Sequence, residues 1–325
     1  MRIQVVGAGS WGLALARVLS LNGHEVHVWC RREDNPDALR ETRESPLFLP
    51  GVRLPDPVYV STEIEPDVDM AILAVPSHVM RNVAGTLRFG PETVRVSVAK
   101  GIENETLLRM EQVIHEVCGP CALVALSGPS HAEEVGRGKP ALLVAAGEDQ
   151  GACESVQSAF SNEFFRVYTS PDIVGVELGG SLKNVIAIAA GICEGLSLGD
   201  NALAALMTRG LAEMARLGVA MGADPLTFAG LTGMGDLIAT CISKHSRNRA
   251  VGARIAGGMT LEQAVAASPM VAEGVRTTRS AHALALLHRV EMPITASVHR
   301  VLFEGANARE AITTLMLRET KSERA

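Results

Sequence analysis

Ile3-Gln4-Val5-Val6-Gly7-Ala8-Gly9-Ser10-Trp11-Gly12 is the stretch that decides the fold of this chain. A strand-forming run leads directly into Gly7-x-Gly9-x-x-Gly12, and an amphipathic helical pattern follows from about Ser10 to Leu21. In a dinucleotide-binding βαβ unit the first glycine makes the tight turn and the second lets a pyrophosphate approach the backbone. The third lets the helix pack on its strand, with its positive N-terminus facing the phosphates. Alone, such a motif marks only a glycine-rich turn. Here it follows a strand, opens a helix and leads to a second strand at 25–29, which points to a nicotinamide or flavin dinucleotide.

The second strand runs into Cys30-Arg31-Arg32-Glu33-Asp34. An NAD-specific site places an acid near this point to hold the ribose 2′-hydroxyl, whereas arginine accommodates a 2′-phosphate. Two arginines come first here, which favours NADPH and leaves NADH open. The alternative is a solvated turn in which both arginines face water.

The 325 residues suit two domains with large cores, and 47% hydrophobic against 20% charged residues describes a globular chain. A net charge of −6 gives no general attraction to nucleic acid or an anionic membrane, so a phosphorylated ligand would need a local basic site. The apolar stretches, broken by Lys183 or by glycines, are expected to fall short of a membrane span, and with a strand starting at Ile3 no leader is expected. The expectation is a cytoplasmic protein without membrane insertion. The six cysteines are scattered and form no disulfide framework. Cys118-Gly119-Pro120-Cys121 has the spacing of a redox motif, but it follows a helical stretch and precedes a strand, so it reads as a turn. No second cysteine pair supports zinc, and no metal is expected.

Apolar runs at 3–6, 25–29, 70–75, 94–99, 122–126 and 142–146 read as buried parallel strands, with helices at 77–87 and 106–117 among the connections. A last strand at 164–168 ends at Thr169-Ser170-Pro171-Asp172, after which residues 173–317 carry helical spacing. The expected fold class is α/β: a Rossmann-like doubly wound sheet domain over 1–170, followed by an all-α domain over 171–325.

Ligands of open α/β sheets bind beyond the carboxyl ends of the strands. Val75-Pro76-Ser77-His78, Ala99-Lys100-Gly101 and Ser127-Gly128-Pro129-Ser130-His131-Ala132 all follow strands there. Lys100 is either a cleft residue or a surface lysine, and His78 and His131 lack identified partners. Gly136-Arg137-Gly138-Lys139 lacks the phosphate-loop spacing and is set aside. Apart from Lys183 and Asn184, everything from Leu178 to Gly191 is apolar or small. A helix apolar on all faces is buried, and burial lowers a lysine pKa toward the range of acid–base catalysis. The competing reading has Lys183 snorkelling, or paired with Glu177. Arg247 and Asn248 stand where a helical stretch at 249–256 begins, which is a natural phosphate site or a solvated basic turn.

Together these segments resemble the bacterial NAD(P)-dependent glycerol-3-phosphate dehydrogenases. The resemblance rests on GAGSWG (7–12), LPGVRLP (49–55), AVPSH (74–78), KGIE (100–103), LSGPS (126–130), VGVELGGSLKNVIAIAAGI (174–192), GDNALAAL (199–206), TRGLAEMARLG (208–218), GADPLTFAGL (222–231), GMGDL (233–237), SRNR (246–249), VAEGV (271–275) and EMPI (291–294). It spans nearly the whole chain in order. It implies reduction of dihydroxyacetone phosphate to sn-glycerol 3-phosphate, a phospholipid precursor, by NAD(P)H, with the arginine pair favouring NADPH over NADH. It also implies that Lys183 is the catalytic acid–base, and that Lys100, Gly128, Ser130, Asp236, Ser246, Arg247 and Asn248 line the substrate. Ser10, Trp11, Arg31, Arg32, Lys100, Ala132, Arg247, Val271 and Glu273 would join the glycines Gly7, Gly9 and Gly12 on the cofactor. Departures are small: Ser181 for Ala or Thr, Ala99 for Thr, and His131 for an aromatic residue. A ketopantoate-type reductase, which would recognise a carboxylate, and a dinucleotide sensor without turnover are the rivals. The partner is a small phosphorylated molecule, and a homodimer is compatible with the sequence.

Overall fold

The computed structural model describes residues 1–320 and 322. Its frame is an eight-stranded sheet of order β3-β2-β1-β4-β5-β6-β7-β8. The strands are β1 Arg2–Val6, β2 Glu25–Trp29, β3 Val58–Ser61, β4 Met70–Leu73, β5 Val94–Ser97, β6 Leu123–Ser127, β7 Ala141–Ala146 and β8 Phe165–Ser170. Helices α1 Ser10–Leu21, α2 Pro36–Thr42, α3 Met80–Ala84, α4 Met110–Cys118, α5 Ala132–Val135 and α6 Gln150–Phe160 lie between them. Ile3, Val5, Val26, Val28 and Ile72 pack against Leu13, Ala16 and Leu19 of α1, which fixes the Gly7–Gly12 turn at the sheet rim. The strand order reverses between β1 and β4, and that switch point opens the cleft in which an open α/β sheet binds its ligand.

Four expectations need correction. β3 is a strand that alternates buried Val58 and Val60 with outward Tyr59, too short and too half-exposed to stand out as an apolar run. The sheet is not wholly parallel, because β7 runs antiparallel to β6. The connection between them holds only the four-residue α5, so the chain turns back beside β6 instead of crossing a face of the sheet. The helix expected over 77–87 is a 3-10 turn at Ser77–Val79 followed by the short α3. The one expected from Thr106 starts at Met110, because Leu107 sits at φ 62° and Ile102 bridges Arg109.

After Ser170 the described chain is helical: α7 Ile173–Gly195, α8 Asp200–Ala220, α9 Pro225–Ala229, α10 Asp236–Ile242, α11 Arg247–Ala256, α12 Leu261–Ala266, α13 Glu273–Leu287, α14 Pro293–Phe303 and α15 Ala308–Met316. Asp172 starts α7 by accepting from the Gly175 amide at 2.8 Å. α7 is the axis of the second half, with α8, α10, α11, α13 and α14 packed around it. Contrary to the reading of its sequence, α7 is long and apolar enough to cross a membrane, yet 94% of its apolar window is buried within the protein. Its glycines make that enclosure possible, and the α11 backbone lies directly against Gly191.

Candidate active site

A cleft of about 530 Å³ runs from the Gly7–Trp11 turn to the middle of α7, a size suited to a small-molecule site. At one end Gly7, Gly9, Ser10 and Trp11 line it. Gly12 does not; it lies beneath the turn, where a Cβ would stand 2.0 Å from the Gly7 carbonyl oxygen. Its part is to let α1 pack closely. The first turn of α1 carries no acidic residue and no side-chain cap, so its free amides present a partial positive charge to the cleft. The Trp11 indole N–H is buried and has no hydrogen-bond partner among the described residues. Uncapped amides and an orphaned donor fit the pyrophosphate and polar edges of a dinucleotide.

The arginine pair divides. Arg31 lines the cleft, held by Asp34 through Nε–Oδ2 and Nη2–Oδ1 contacts of 2.8 and 2.7 Å. Arg32 opens the 3-10 turn Arg32–Asp34, is exposed, and lies outside the cleft lining. The tight turn sends consecutive side chains in different directions, so one guanidinium reaches the site. Ala132, Val271 and Glu273 also line the cleft. The Glu273 carboxylate accepts from Ser77, at 3.0 Å from its amide and 2.6 Å from its hydroxyl.

The opposite end is built around Lys183, 5% exposed in the middle of α7. Its ammonium donates to Asp236 Oδ1 and, at 2.8 Å, to Thr240 Oγ1. Asp236 and Thr240 stand four residues apart on α10, so both face Lys183. The second Asp236 oxygen accepts from Lys100 at 3.0 Å; Lys100 also donates to the Gly128 carbonyl at 2.9 Å and to Ser130 Oγ at 3.3 Å. One buried carboxylate thus binds two lysines that arrive from the two halves of the molecule. Burial lowers Lys183 to about 7; Asp236 opposes that shift and Lys100 adds to it. Burial alone would raise Asp236, but Lys100 and then Lys183 override it, so its carboxyl stays below the usual range. The arrangement keeps the carboxylate ionised and lets Lys183 exchange a proton near neutral pH.

Glu177 does not neutralise Lys183. Its carboxylate is held by Arg109 at 2.7 Å and by the Glu111 amide at 2.8 Å, on another face of α7. Ser246 caps α11, accepting from the Arg249 amide at 3.3 Å, and Arg247 extends into the cleft with no hydrogen bond or ion pair to a described residue. A free guanidinium beside a helix N-terminus is suited to phosphate. Asn248 points inward, donating to Asn184 Oδ1 at 2.9 Å and accepting from the Gly274 amide at 2.9 Å. Lys100, Ser130, Lys183, Asp236, Ser246, Arg247 and Asn248 therefore meet in one cleft, with Gly128 contributing its carbonyl from behind.

Asn184 and Thr240 line the same cleft and escaped the sequence reading. Asn184 had a signal, as the second polar residue in an apolar helix; Thr240 becomes visible once Asp236 is placed on a helix. His131 lies 3.3 Å from the Ala239 carbonyl and its ring faces His245 at 5.8 Å, with burial lowering its pKa. His78 also lines the cleft, its pKa lowered by burial and by Arg276. Cys118 ends α4 and Cys121 lies between α4 and β6, both outside the cleft, and burial raises both thiols.

Comparison with known proteins agrees with this geometry. Residues 2–153 match the model of the NAD-dependent glycerol-3-phosphate dehydrogenase N-terminus, and residues 172–313 match that of its C-terminus. A Pelotomaculum thermopropionicum protein named glycerol-3-phosphate dehydrogenase (NAD(P)+) is 53% identical, the match covering 98% of this chain and 93% of that protein. The solved structure of glycerol-3-phosphate dehydrogenase from Coxiella burnetii superposes with a TM-score of 0.94 at 35% identity, over 98% of this chain and 99% of that one. A ketopantoate reductase from Ralstonia eutropha shares the fold alone, with a TM-score of 0.64 at 16% identity over 96% of this chain and 100% of that one. The chain belongs to the NAD-dependent glycerol-3-phosphate dehydrogenase family.

Proposed function

We propose that the protein reduces dihydroxyacetone phosphate to sn-glycerol 3-phosphate with NADPH or NADH, and so supplies a precursor of glycerophospholipids. The observation that carries this reading is the Lys100–Asp236–Lys183 cluster, completed by Thr240, in the same cleft as the unpaired Arg247. A bound reduced nicotinamide would supply the hydride. Gly7, Gly9, Ser10, Trp11, Ala132 and Val271 would hold the dinucleotide, with the α1 amides at its pyrophosphate.

Lys183, as the ammonium, gives its proton to the substrate carbonyl oxygen as negative charge develops there, and it regains a proton from solvent afterwards. Asp236 remains a carboxylate throughout and keeps both lysines oriented. Lys100 adds a second positive charge beside the developing alkoxide, where a preorganised cation stabilises the transition state more than the ground state. Arg247, with Ser246 and the start of α11, takes the substrate phosphate.

Arg31 supports a preference for NADPH, acting on the 2′-phosphate after exchanging its bond to Asp34. The division of labour falls near residue 170, with the dinucleotide on the sheet domain and most substrate groups on the helical one. A cytoplasmic location without membrane insertion accords with the burial of α7. Consumption of NADPH on addition of dihydroxyacetone phosphate, but not of ketopantoate, tests the assignment; the reverse preference would overturn it.

A further inference from the structure

Glu273 spends both carboxylate oxygens on one residue of the opposite half. Ser77, 3% exposed at the carboxyl end of β4, donates its amide to Oε1 and its hydroxyl to Oε2. Glu273 is the first residue of α13, and its neighbour Gly274 donates to Asn248 Oδ1 at 2.9 Å. Asn248 in turn donates to Asn184 at 2.9 Å, and Asn184 donates to the Lys100 carbonyl at 3.2 Å. A largely buried line of hydrogen bonds thus leaves the turn after β4, crosses α13, α11 and α7, and returns to Lys100, which lies beyond β5 and grips Asp236. The latch also packs on that segment directly. A Cβ on Gly101 would meet Ser77 Oγ at 2.3 Å and Glu273 Oε2 at 3.2 Å, so only glycine fits beside Lys100. On the other side of Glu273, Pro269, Met270 and Val271 line the cleft, and Met270 Sδ accepts from Ser10 Oγ at 3.4 Å at the start of α1.

We propose that Ser77 is a positioning residue of the reductase. By holding Glu273 it fixes the 269–271 segment over the dinucleotide turn and keeps Lys100 in register with Asp236. Ser77 then acts on the cofactor through Glu273, whose carboxylate it orients at the cleft wall. Each Glu273 oxygen accepts one bond from Ser77 and keeps acceptor capacity toward the cleft that the residue lines. The inference rests on the dinucleotide reading of the cleft.

A double-mutant cycle on cofactor affinity tests it, with Ser77→Ala, Glu273→Gln and the combined variant titrated with NADPH and NADH by fluorescence. Losing a charge-assisted hydrogen bond should weaken both cofactors alike by about tenfold, because the latch lies away from the 2′-phosphate. The combined variant should lose no more than about twofold beyond Glu273→Gln, since the two residues act as one. Losses that multiply would show Ser77 and Glu273 acting independently of one another, and a Ser77→Ala affinity within about twofold of wild type would remove Ser77 from the site. Either result overturns the proposal. Thermal melts report the fold of each variant, and Ser77→Cys, which keeps a weak donor, replaces Ser77→Ala in the cycle if the alanine variant does not fold. Failure of the wild-type protein to bind either dinucleotide would refute the proposed function itself, a different outcome from loss of coupling.

Discussion

Replacing Asp236 by Asn removes the one carboxylate shared by Lys100 and Lys183 while keeping the shape of the side chain. Two lysines then share a buried pocket with no counter-charge. Lys183 already titrates near 7, because burial outweighs the help it receives from Asp236. An opposite charge at this range supports a pKa by about 1–3 units, so its loss should bring Lys183 down to between about 6 and 4. Reduction needs the protonated amine, so activity is present below this pKa and lost above it. At pH 7 the ammonium fraction would fall from about a half to between roughly a tenth and a thousandth, lowering kcat by about fivefold to five-hundredfold. The assay is the initial rate of NADPH loss at saturating dihydroxyacetone phosphate across a pH series, corrected for acid decay of the cofactor. The falling limb should move acidward by about 1–3 pH units, with activity partly restored below neutrality. An unmoved limb at any loss of rate would show that Asp236 does not control the protonation of Lys183. Removing the shared carboxylate of a buried ion cluster also costs stability, on the order of 3–5 kcal/mol, so the rates should be taken with cofactor present and melting recorded alongside.

Lys183→Met should lower kcat about 100- to 10,000-fold with NADPH affinity nearly unchanged; retention of more than about a tenth of wild-type kcat would exclude Lys183 as the acid. Arg247→Ala should raise KM for dihydroxyacetone phosphate by roughly tenfold to more than a hundredfold and leave unphosphorylated dihydroxyacetone little affected. Equal losses on both would assign Arg247 to the fold or the cofactor. Arg31→Ala should reduce the NADPH-over-NADH ratio of kcat/KM by about tenfold, and Arg32→Ala should leave it within about twofold. An unchanged ratio in both would leave the 2′-phosphate to other residues.

Much of this molecule is written locally. The Gly7–Gly12 turn follows from strand, glycine spacing and helix within a dozen or so residues, and the buried state of Lys183 follows from the apolar run around it. What the chain hides is whatever depends on distant pairing. β3 escapes because Val58–Ser61 is short and exposes Tyr59, and the reversal of β7 depends on how the 128–140 connection folds back. The partners of Lys183 come from 53 and 57 residues away, so no local pattern could choose Asp236 over Glu177. Arg109 claims Glu177 from 68 residues off, and Ser77 claims Glu273 from 196. Arg31 and Arg32 part for a different reason. Adjacent in sequence, they are separated by the geometry of the turn that begins at Arg32.

The central claim is that the Lys100–Asp236–Lys183 cluster reduces the carbonyl of a small phosphorylated substrate. Its most direct test follows reduced-nicotinamide absorbance when dihydroxyacetone phosphate is added to the wild-type protein and, in parallel, to Lys183→Met. The account predicts prompt consumption of NADPH by wild type, sn-glycerol 3-phosphate as the product, and almost none of either in the variant. Wild-type protein that binds NADPH yet leaves it unoxidised, or a variant that turns over at a comparable rate, would contradict it.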